Sequence, residues 1–432
     1  MAELISPLPE TGPPPPSLLA RLNGLRRRMN WRQAFTALRH PNYRLWFWGQ
    51  MISLFGTWMQ STALAFLVYQ LTRSPAYLGL VGFAAGIPSW LFMLYAGVIA
   101  DRVSRRNIMV ITQTAMMLLA FVMAGLTFLH LVRPWQILVI TFALGIANAF
   151  DAPARQAFVL EMVPPQDMTN AIALNGAMFN TATALGPAAG GVIYALVGPA
   201  WCFSINGLSF IAVIVALRLM KLRPLEARPR VNSALSDIKE GIRYVIHHAQ
   251  VRTIIVGVGI LTMFGLAFAT LLPAWAVQVL GGDAKTNGFL LSARALGALA
   301  GSLIIASLGR FHFRGRLLTF GMFALPLFIT AFGLVRWLPL ALLLLFGAGL
   351  SHILAFNLSN ALVQTFAPDA LRGRIMSVYA LTFFGLMPLG ALGIGATAEK
   401  LGAPAALFIG AAVTIVSAAL IALLQPDLRK QT

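Results

Sequence analysis

The chain has 432 residues, of which 58% are hydrophobic and only 10% are charged. Soluble globular proteins carry about 25% charged residues, so this composition excludes a disordered chain and argues strongly against a soluble enzyme. A net charge of +19 would suggest nucleic acid for a soluble protein, but membrane proteins collect Lys and Arg in their cytoplasmic loops, and we expect no nucleic-acid partner.

Residues 1–44 are predicted to form a cytoplasmic tail. Residues 1–20 are Pro-rich, which is typical of a disordered segment, and they lack the charged start and apolar stretch of a signal peptide. Seven arginines lie in residues 21–44, interleaved with Trp31, Phe35 and Leu38. This pattern favours an amphipathic helix on an anionic membrane surface.

Twelve apolar segments follow, each long enough to cross a bilayer as a helix of roughly 20 residues. None shows the alternating polarity of barrel strands, so we predict an all-α membrane protein. Its domains are an N-terminal six-helix bundle at 45–220, a cytoplasmic linker at 221–252, a C-terminal six-helix bundle at 253–424 and a tail at 425–432. The predicted spans are 45–70, 75–99, 107–131, 135–153, 172–196, 203–220, 253–279, 287–307, 316–335, 337–358, 376–397 and 404–424.

The basic residues predict the orientation. With the N-terminus in the cytoplasm, 26 of the 32 basic residues fall on the cytoplasmic side, five fall outside, and Arg294 remains inside the eighth span. Basic residues favour cytoplasmic loops, so we expect both termini in the cytoplasm and the chain in the inner, or plasma, membrane. In the linker, Ser236 is a candidate N-cap for a surface helix that runs to His248.

The two halves of the chain repeat. Pro165 and Asp167 correspond to Pro368 and Asp369 at an offset of roughly 203, and Gly186 then falls near Gly390. Six-helix repeats with a binding site between the halves are a common transporter design. The sequence therefore predicts two pseudo-repeated bundles around a central site.

The segment Gly97–Arg106 resembles the G-x-x-x-D-R-x-x-R-R signature of the major facilitator superfamily. The resemblance implies the fold of that superfamily and a conformational latch in which Asp101 meets the start of helix eleven near Arg374. Arg105 or Arg106 would then face Asp151, and the alternative is ordinary positive charge in a cytoplasmic loop. A second copy at Gly309–Arg316 keeps the arginines but lacks the aspartate. The predicted latch residues are Gly97, Asp101, Arg102, Arg105, Arg106, Asp151, Arg155 and Arg374.

Other segments resemble the macrolide-efflux and enterobactin-exporter branch of the superfamily. They are Asn42–Leu45, Trp58–Gln60 and Val68–Thr72 in the first span, and Phe150–Phe158 and Asn170–Asn175, which resemble the loop after helix four. The fifth span carries Gly186, Pro187, Gly190 and Gly191, which resembles the glycine-proline helix of these exporters. Small residues allow tight helix contact and proline kinks a helix, so plain helix packing is the other interpretation.

No acidic residue lies at a predicted helix centre, which departs from many proton-coupled exporters. We interpret Asp151 as a structural partner of Arg105, Arg106 or Arg155, and the alternative is a proton carrier. Arg294 lies roughly 10 Å deep at 1.5 Å per residue and is a candidate for binding an anionic substrate; the alternatives are snorkelling and pairing with Asp283 or Glu399. His352 is a fallback proton carrier. Further cavity candidates are Gln50, Trp58, Gln60, Asn148, Asn175, Asn180 and Asn357.

The repeat and the resemblance together imply a secondary transporter that exports amphipathic or lipophilic small molecules by alternating access, coupled to protons. A dedicated siderophore, lipid or metabolite transporter is the alternative within this class. A membrane-embedded enzyme or a non-transporting sensor is the alternative from another class, but the sequence contains no hydrolase, zincin, Walker or dinucleotide motif. We expect a monomer without a cofactor. We also expect no metal site, because the single cysteine, Cys202, and the six histidines show no zinc-type spacing.

Overall fold

The computed structural model describes residues 35–221, 234–308 and 313–425, and the secondary structure in these ranges is helical. Eleven helices are long and apolar enough to cross a membrane, and a twelfth, α5, spans 30 residues but is less apolar because it carries Asn, Thr and Gly. The helices are α1 (Pro41–Thr72), α2 (Pro75–Arg102), α3 (Arg105–Phe128), α4 (Pro134–Met162), α5 (Met168–Val197), α6 (Pro199–Leu219), α7 (Ala234–His247), α8 (Ala249–Gln278), α9 (Ala284–Leu308), α10 (Arg314–Leu334), α11 (Leu338–Phe366), α12 (Arg372–Leu401) and α13 (Ala403–Leu424).

All helices except α7 correspond to the twelve predicted spans, and most of their ends lie within four residues of the prediction. The exceptions are α4 and α11, which continue eight or nine residues further, to Met162 and Phe366. Phe150–Phe158, predicted as a loop, therefore lies inside α4, and Pro153 is accommodated within the helix. Hydropathy predicts only the part of a helix that lies in the apolar layer. Backbone hydrogen bonds continue α4 and α11 beyond that layer, so their observed ends lie further along the chain.

The predicted tail ends earlier than expected, because α1 begins at Pro41 and a 3₁₀ turn precedes it at Thr36–Arg39. This segment packs on the start of α5: the Ala37 amide donates to Asn170 Oδ1 at 2.9 Å. His40 Nε2 lies 2.7 Å from Asp167 Oδ2, and this hydrogen bond lowers the pKa of Asp167. Residues 1–34, with most of the predicted amphipathic helix, lie outside the described residues.

Helix α7 attaches the linker to the C-terminal bundle. It begins at Ala234, so Ser236 lies in its first turn and the prediction that Ser236 is the N-cap is wrong. Glu240 forms an ion pair with Arg374 of α12, and the Tyr244 hydroxyl donates to the Phe366 carbonyl at 3.1 Å. The linker is therefore tied to one bundle by specific contacts.

The six helices α1–α6 and the six helices α8–α13 form two bundles, each with its own apolar core. Trp46 and Phe203 are among the buried aromatic residues of the first bundle, and Trp275 and Phe332 of the second. Helix α8 is irregular in its middle, where a π-helical turn at Leu261–Leu266 leads into a 3₁₀ segment. π-turns of this kind are frequent at functional sites.

The bundles meet at two helix crossings that we call the far-side crossings. In one, α2 packs on α12, and a Cβ added at Gly79 would lie 2.5 Å from the Ala391 carbonyl oxygen. In the other, α5 packs on α9, where Gly191 faces Gly288. Gly191 and Gly395 differ by 204 in number, close to the predicted repeat offset. The two crossings are therefore equivalent positions of the repeat.

The twelve described spans place the start of α1 and the end of α13 on one side of the protein, which we call the terminal side. We call the opposite side the far side. The crossings involve the first half of α2 and α9 and the last half of α5 and α12, and all of these halves lie on the far side. Glu399 adds a polar contact there, since its Oε2 accepts from the Ser74 hydroxyl at 2.8 Å and from the Ala76 amide at 3.2 Å. The two bundles are thus held together on the far side.

Gly395→Leu is expected to favour a conformation in which the far side is open. A Cβ at Gly395 would lie 2.7 Å from the Pro75 carbonyl oxygen, and backbone at that distance has to move. The matched control is Gly393→Leu on the same helix, where a Cβ meets nothing within 4 Å. The measurement is the labelling rate of Ser61→Cys by an impermeant thiol reagent from the far side, in a Cys202→Ser background. Equal rates in both glycine variants would contradict this account of the crossing.

Glu399→Ala is expected to weaken far-side closure by about 1 kcal/mol, roughly fivefold in the closed-to-open ratio. The variant removes an anionic acceptor at the N-terminus of α2, where anions are favoured, whereas Glu399→Gln keeps an acceptor oxygen and should lose less. The same labelling assay reports the effect, with Lys400→Ala as the neighbouring control. A wild-type labelling rate in Glu399→Ala would show that the Glu399 contact does not stabilise the closed far side.

Candidate substrate cavity

A cavity of about 250 Å³ lies between the bundles at the level of Pro187, next to the α5–α9 crossing. Both bundles contribute: α1, α2, α4 and α5 from the first, and α8 and α9 from the second. Its walls are mostly apolar, with several hydroxyl groups and one guanidinium group. The lining residues are Trp58, Ser61, Thr62, Leu64, Ala65, Leu78, Val81, Gly82, Ala85, Thr141, Thr183, Pro187, Ala269, Thr270, Pro273, Leu291, Arg294 and Ala295.

Two of the nine predicted cavity residues, Trp58 and Arg294, line this cavity. The Trp58 ring makes an edge-to-face contact with Phe179, with 5.9 Å between ring centroids. His352 does not line it, but it interacts electrostatically with Arg294. The sequence thus identified one aromatic wall and the single charged group of the lining.

The other predicted candidates lie elsewhere. Gln60 is buried and its Oε1 accepts from Asn206 Nδ2 at 2.8 Å, so it connects α1 to α6. Gln50 is 1% exposed inside the first bundle. Asn148 is exposed, and Asn175, Asn180 and Asn357 are half-buried outside the lining. The prediction that these six residues line the cavity is not supported, because a polar side chain in a membrane helix also serves to connect helices.

Sequence reasoning missed the hydroxyl groups of the cavity. Thr62 and Thr183 donate to the carbonyls of Trp58 and Phe179, one turn earlier in their own helices. Thr and Ser hydroxyls in membrane helices commonly form this hydrogen bond to a carbonyl of their own helix. Their presence in a span therefore does not show whether the side chain faces a cavity or lipid. Thr141 differs, since its buried Oγ1 has no hydrogen-bond partner among the described residues.

Arg294 lies inside α9 without an acidic partner in the described part of the chain. Its buried Nε has no hydrogen-bond acceptor there. Asp283 instead accepts from the Thr286 amide at 3.1 Å, and Glu399 accepts from Ser74 and Ala76. Neither of the two predicted carboxylate partners is therefore paired with the guanidinium.

Asp151 lies outside the cavity and ties α3 to α4. It is 1% exposed and accepts from Thr112 Oγ1 and Gln113 Nε2, both at 3.0 Å. Arg155 Nε lies 3.7 Å from its other oxygen, so of the three predicted partners Arg155 is the one that the structure places beside it.

The expected contact of Arg105 or Arg106 with Asp151 is wrong. Arg105 pairs with Glu161 at 2.5 Å, because α4 extends far enough to bring Glu161 opposite the start of α3. Arg106 donates to the Arg218 carbonyl at the end of α6.

The remaining latch residues are described only in part. Helix α2 runs to Arg102, but the contacts of Gly97, Asp101 and Arg102 are not among the described features of this helix. Arg374, their expected partner region, pairs with Glu240 of α7. Residues 309–312 of the second copy also lie outside the described ranges.

The small residues of α5 contact two neighbouring helices. Gly186 faces the Trp58 Cβ and the Phe55 carbonyl, and Gly190 faces the Met59 backbone. Gly191 faces α9, and the Pro187 carbonyl lies against Gly288. The α9 hydroxyl of Ser292 accepts from the Ala188 amide at 2.9 Å, next to the helix interruption at Pro187. Helix α5 therefore connects its own bundle to the other one.

Asp151→Ala is expected to destabilise the protein by about 1–3 kcal/mol, because the buried Gln113 amide loses its acceptor and the Thr112 hydroxyl is left with the Met109 carbonyl of its own helix. The matched control is Asp369→Ala, which removes an exposed carboxylate paired with Arg372 and should cost under about 1 kcal/mol. Thermal unfolding in detergent measures both. Equal melting temperatures for the two variants would contradict a structural role for Asp151.

Comparison with known proteins agrees with the two-bundle architecture. A family profile described as transmembrane secretion effector matches residues 32–431. The staphyloferrin A transporter of Staphylococcus aureus is 24% identical, covering 83% of this chain and 90% of its own. The multidrug efflux pump Tap of Mycolicibacterium fortuitum is 25% identical, covering 87% and 93%. The enterobactin exporter EntS of Escherichia coli is 26% identical, covering 82% and 84%.

Solved structures show the same fold. A POT family transporter in complex with a thioalcohol-conjugated peptide superposes with a TM-score of 0.70 at 13% identity, covering 90% of this chain and 96% of that one. A bacterial homologue of the lysosomal transporter Spinster, in an inward-facing and unoccupied conformation, superposes with a TM-score of 0.66 at 14% identity, covering 90% and 96%. The match along nearly the whole sequence and the twelve-span fold identify the chain as a multi-pass membrane transporter that belongs to the transmembrane secretion effector family of the major facilitator superfamily.

Proposed function

We propose that this protein exports amphipathic or lipophilic small molecules across the inner, or plasma, membrane by alternating access. The observation that carries the proposal is a cavity lined by both bundles and closed on one side by the far-side crossings. If the termini lie in the cytoplasm, as the distribution of basic residues favours, the closed side faces outward. A substrate then enters from the cytoplasm and leaves when the crossings separate.

The walls of the cavity support an amphipathic cargo. Apolar side chains dominate the lining, and hydroxyl groups and Arg294 provide a few polar contacts, which is the usual composition of small-molecule sites. A second cavity of about 430 Å³ lies between α2, α7 and α12, with Trp90, Ile242 and Leu386 among its lining residues. This cavity is almost entirely apolar and supports the lipophilic part of the proposal.

A dedicated siderophore, lipid or metabolite transporter is the second candidate. Two of the relatives are a staphyloferrin A transporter and an enterobactin exporter, whereas a third is a multidrug pump. The charged group in the lining favours selection for one kind of cargo over broad uptake of apolar compounds.

We propose the proton gradient as the driving force and a monomer as the working unit. One chain supplies both walls of the cavity, so a second copy is not needed to complete it. Among the candidates for carrying a proton, His352 lies outside the cavity lining but interacts electrostatically with Arg294, and its Nε2 has no partner in the described part of the chain. Asp151 is held by hydrogen bonds between α3 and α4 and is a weaker candidate.

Everted vesicles that contain the protein should lose an imposed pH gradient when a transported compound is added. The panel comprises lipophilic cations, neutral macrolides and catecholate siderophores. Export predicts a saturable response to one class, and Gly395→Leu, which is expected to disturb alternation, should reduce it at least tenfold. His352→Ala should abolish the pH response if His352 carries the proton, and Gly393→Leu should behave like the wild type.

Retention of full pH-dependent transport in His352→Ala would remove that residue from the mechanism. No response to any class, with the protein shown to be folded and inserted, would contradict proton-coupled export of these compounds.

A further inference from the structure

Arg294 is the one charged residue among the residues that line the central cavity. An ionised group within a membrane protein is costly unless an opposite charge or hydrogen-bond acceptors surround it. The two carboxylates considered as partners of Arg294 make other contacts, since Asp283 caps the start of α9 and Glu399 binds the start of α2. The cavity therefore contains a positive charge that the described residues leave uncompensated.

Two further buried polar atoms have no partner among the described residues, one in the lining of this cavity and one that interacts electrostatically with Arg294. Thr141 Oγ1, from α4 of the first bundle, is buried in the lining of the same cavity. His352 Nε2, from α11, is buried close to Arg294. Buried polar atoms are nearly always hydrogen-bonded, so three unpartnered groups near one cavity indicate a place for a polar ligand.

The helix packing fixes the position of the Arg294 backbone. The Arg294 carbonyl lies against Gly349 of α11, and Gly297 of α9 lies against Phe346 of the same helix. These close contacts leave little freedom for α9 to rotate, and they place Arg294 and His352 at one level of the bundle. Arg294 is thus attached to a closely packed segment of α9 that lines the cavity.

The chemistry of these groups selects the ligand. A guanidinium binds a carboxylate with two parallel hydrogen bonds, and a threonine hydroxyl can donate a further one. The apolar walls, including Trp58 and Leu291, suit an aromatic or aliphatic body. At about 250 Å³ the cavity is slightly smaller than the roughly 300–1,000 Å³ of drug-sized sites, which suits a small anion or the head of a larger one.

We propose that Arg294 is the anion-binding residue of the transport site and that the cargo is an amphipathic carboxylate. Thr141 binds the same carboxylate from the opposite bundle, so the ligand connects the two halves that move against each other. Lipophilic cations are disfavoured by the same charge. This inference rests on the proposed transport function and specifies its substrate class.

Binding to the purified full-length protein in nanodiscs tests the proposal without requiring transport. Isothermal titration calorimetry compares 2-naphthoate with the neutral 2-naphthamide and the cationic 2-naphthylmethylammonium. We expect the carboxylate to bind at least tenfold more tightly than the amide, and the cation to bind more weakly than either.

Variants assign the preference to Arg294. Arg294→Gln should remove the preference for the carboxylate over the amide, and Arg294→Lys should retain part of it because the charge remains. Arg316→Gln, which removes an exposed arginine of α10 outside the cavity lining, should bind like the wild type. Thr141→Val should lower carboxylate affinity by a smaller factor than Arg294→Gln.

Equal affinity of the wild type for carboxylate and amide, binding of neither at millimolar concentration, or an unchanged preference in Arg294→Gln would overturn the proposal. If Arg294→Gln does not fold, the affinities of the three probes for the wild type and for Arg294→Lys still test whether Arg294 binds the carboxylate. Carboxylate binding that depends on Arg294 in a protein that moves no compound across vesicles would overturn the transport function while leaving the anion site intact.

Discussion

The architecture depends on the close approach of backbone to backbone at the two far-side crossings. Gly79 and Gly395 join α2 to α12, and Gly191 and Gly288 join α5 to α9. In a bilayer, lipid tails are as apolar as the side chains, so helix association relies on packing and on small residues that let backbones meet. A contact of this kind can form and separate without leaving a large unsatisfied surface, which suits an interface that has to open.

The position of the cavity follows from this constraint. Pro187 interrupts the hydrogen bonds of α5 at the level where that helix leaves its own bundle and meets α9, and it lines the cavity as well. Helix α8 is irregular at the corresponding depth of the second bundle, where Ala269, Thr270 and Pro273 also line the cavity. The site therefore lies where α5 lacks one backbone donor and α8 departs from α-helical geometry, next to the contact that would separate in the proposed mechanism.

The sequence predicted the fold well because hydropathy and glycine positions are local properties of each span. The repeat offset relates Gly186 to Gly390, and both face the first helix of their own bundle, at Trp58 and Met263 respectively. The cavity was predicted less completely. Arg294 was found because one charge inside an apolar span is conspicuous, whereas Thr141 looks like any threonine in a membrane helix, and only the packing of α4 reveals that its hydroxyl lacks a partner. Arg105 was assigned the wrong carboxylate because hydropathy ended α4 too early and left Glu161 out of reach.

The central claim is that the far-side crossings open and close as the terminal side does the reverse. Pairs of spin labels on the two sides of the protein, one pair across α2 and α12 on the far side and one across the same helices on the terminal side, measure both distances by electron resonance in nanodiscs. We predict that a transported ligand or a change of pH produces a population in which the far-side distance is longer and the terminal-side distance is shorter. A far-side distance that stays fixed under every condition that supports transport would contradict it.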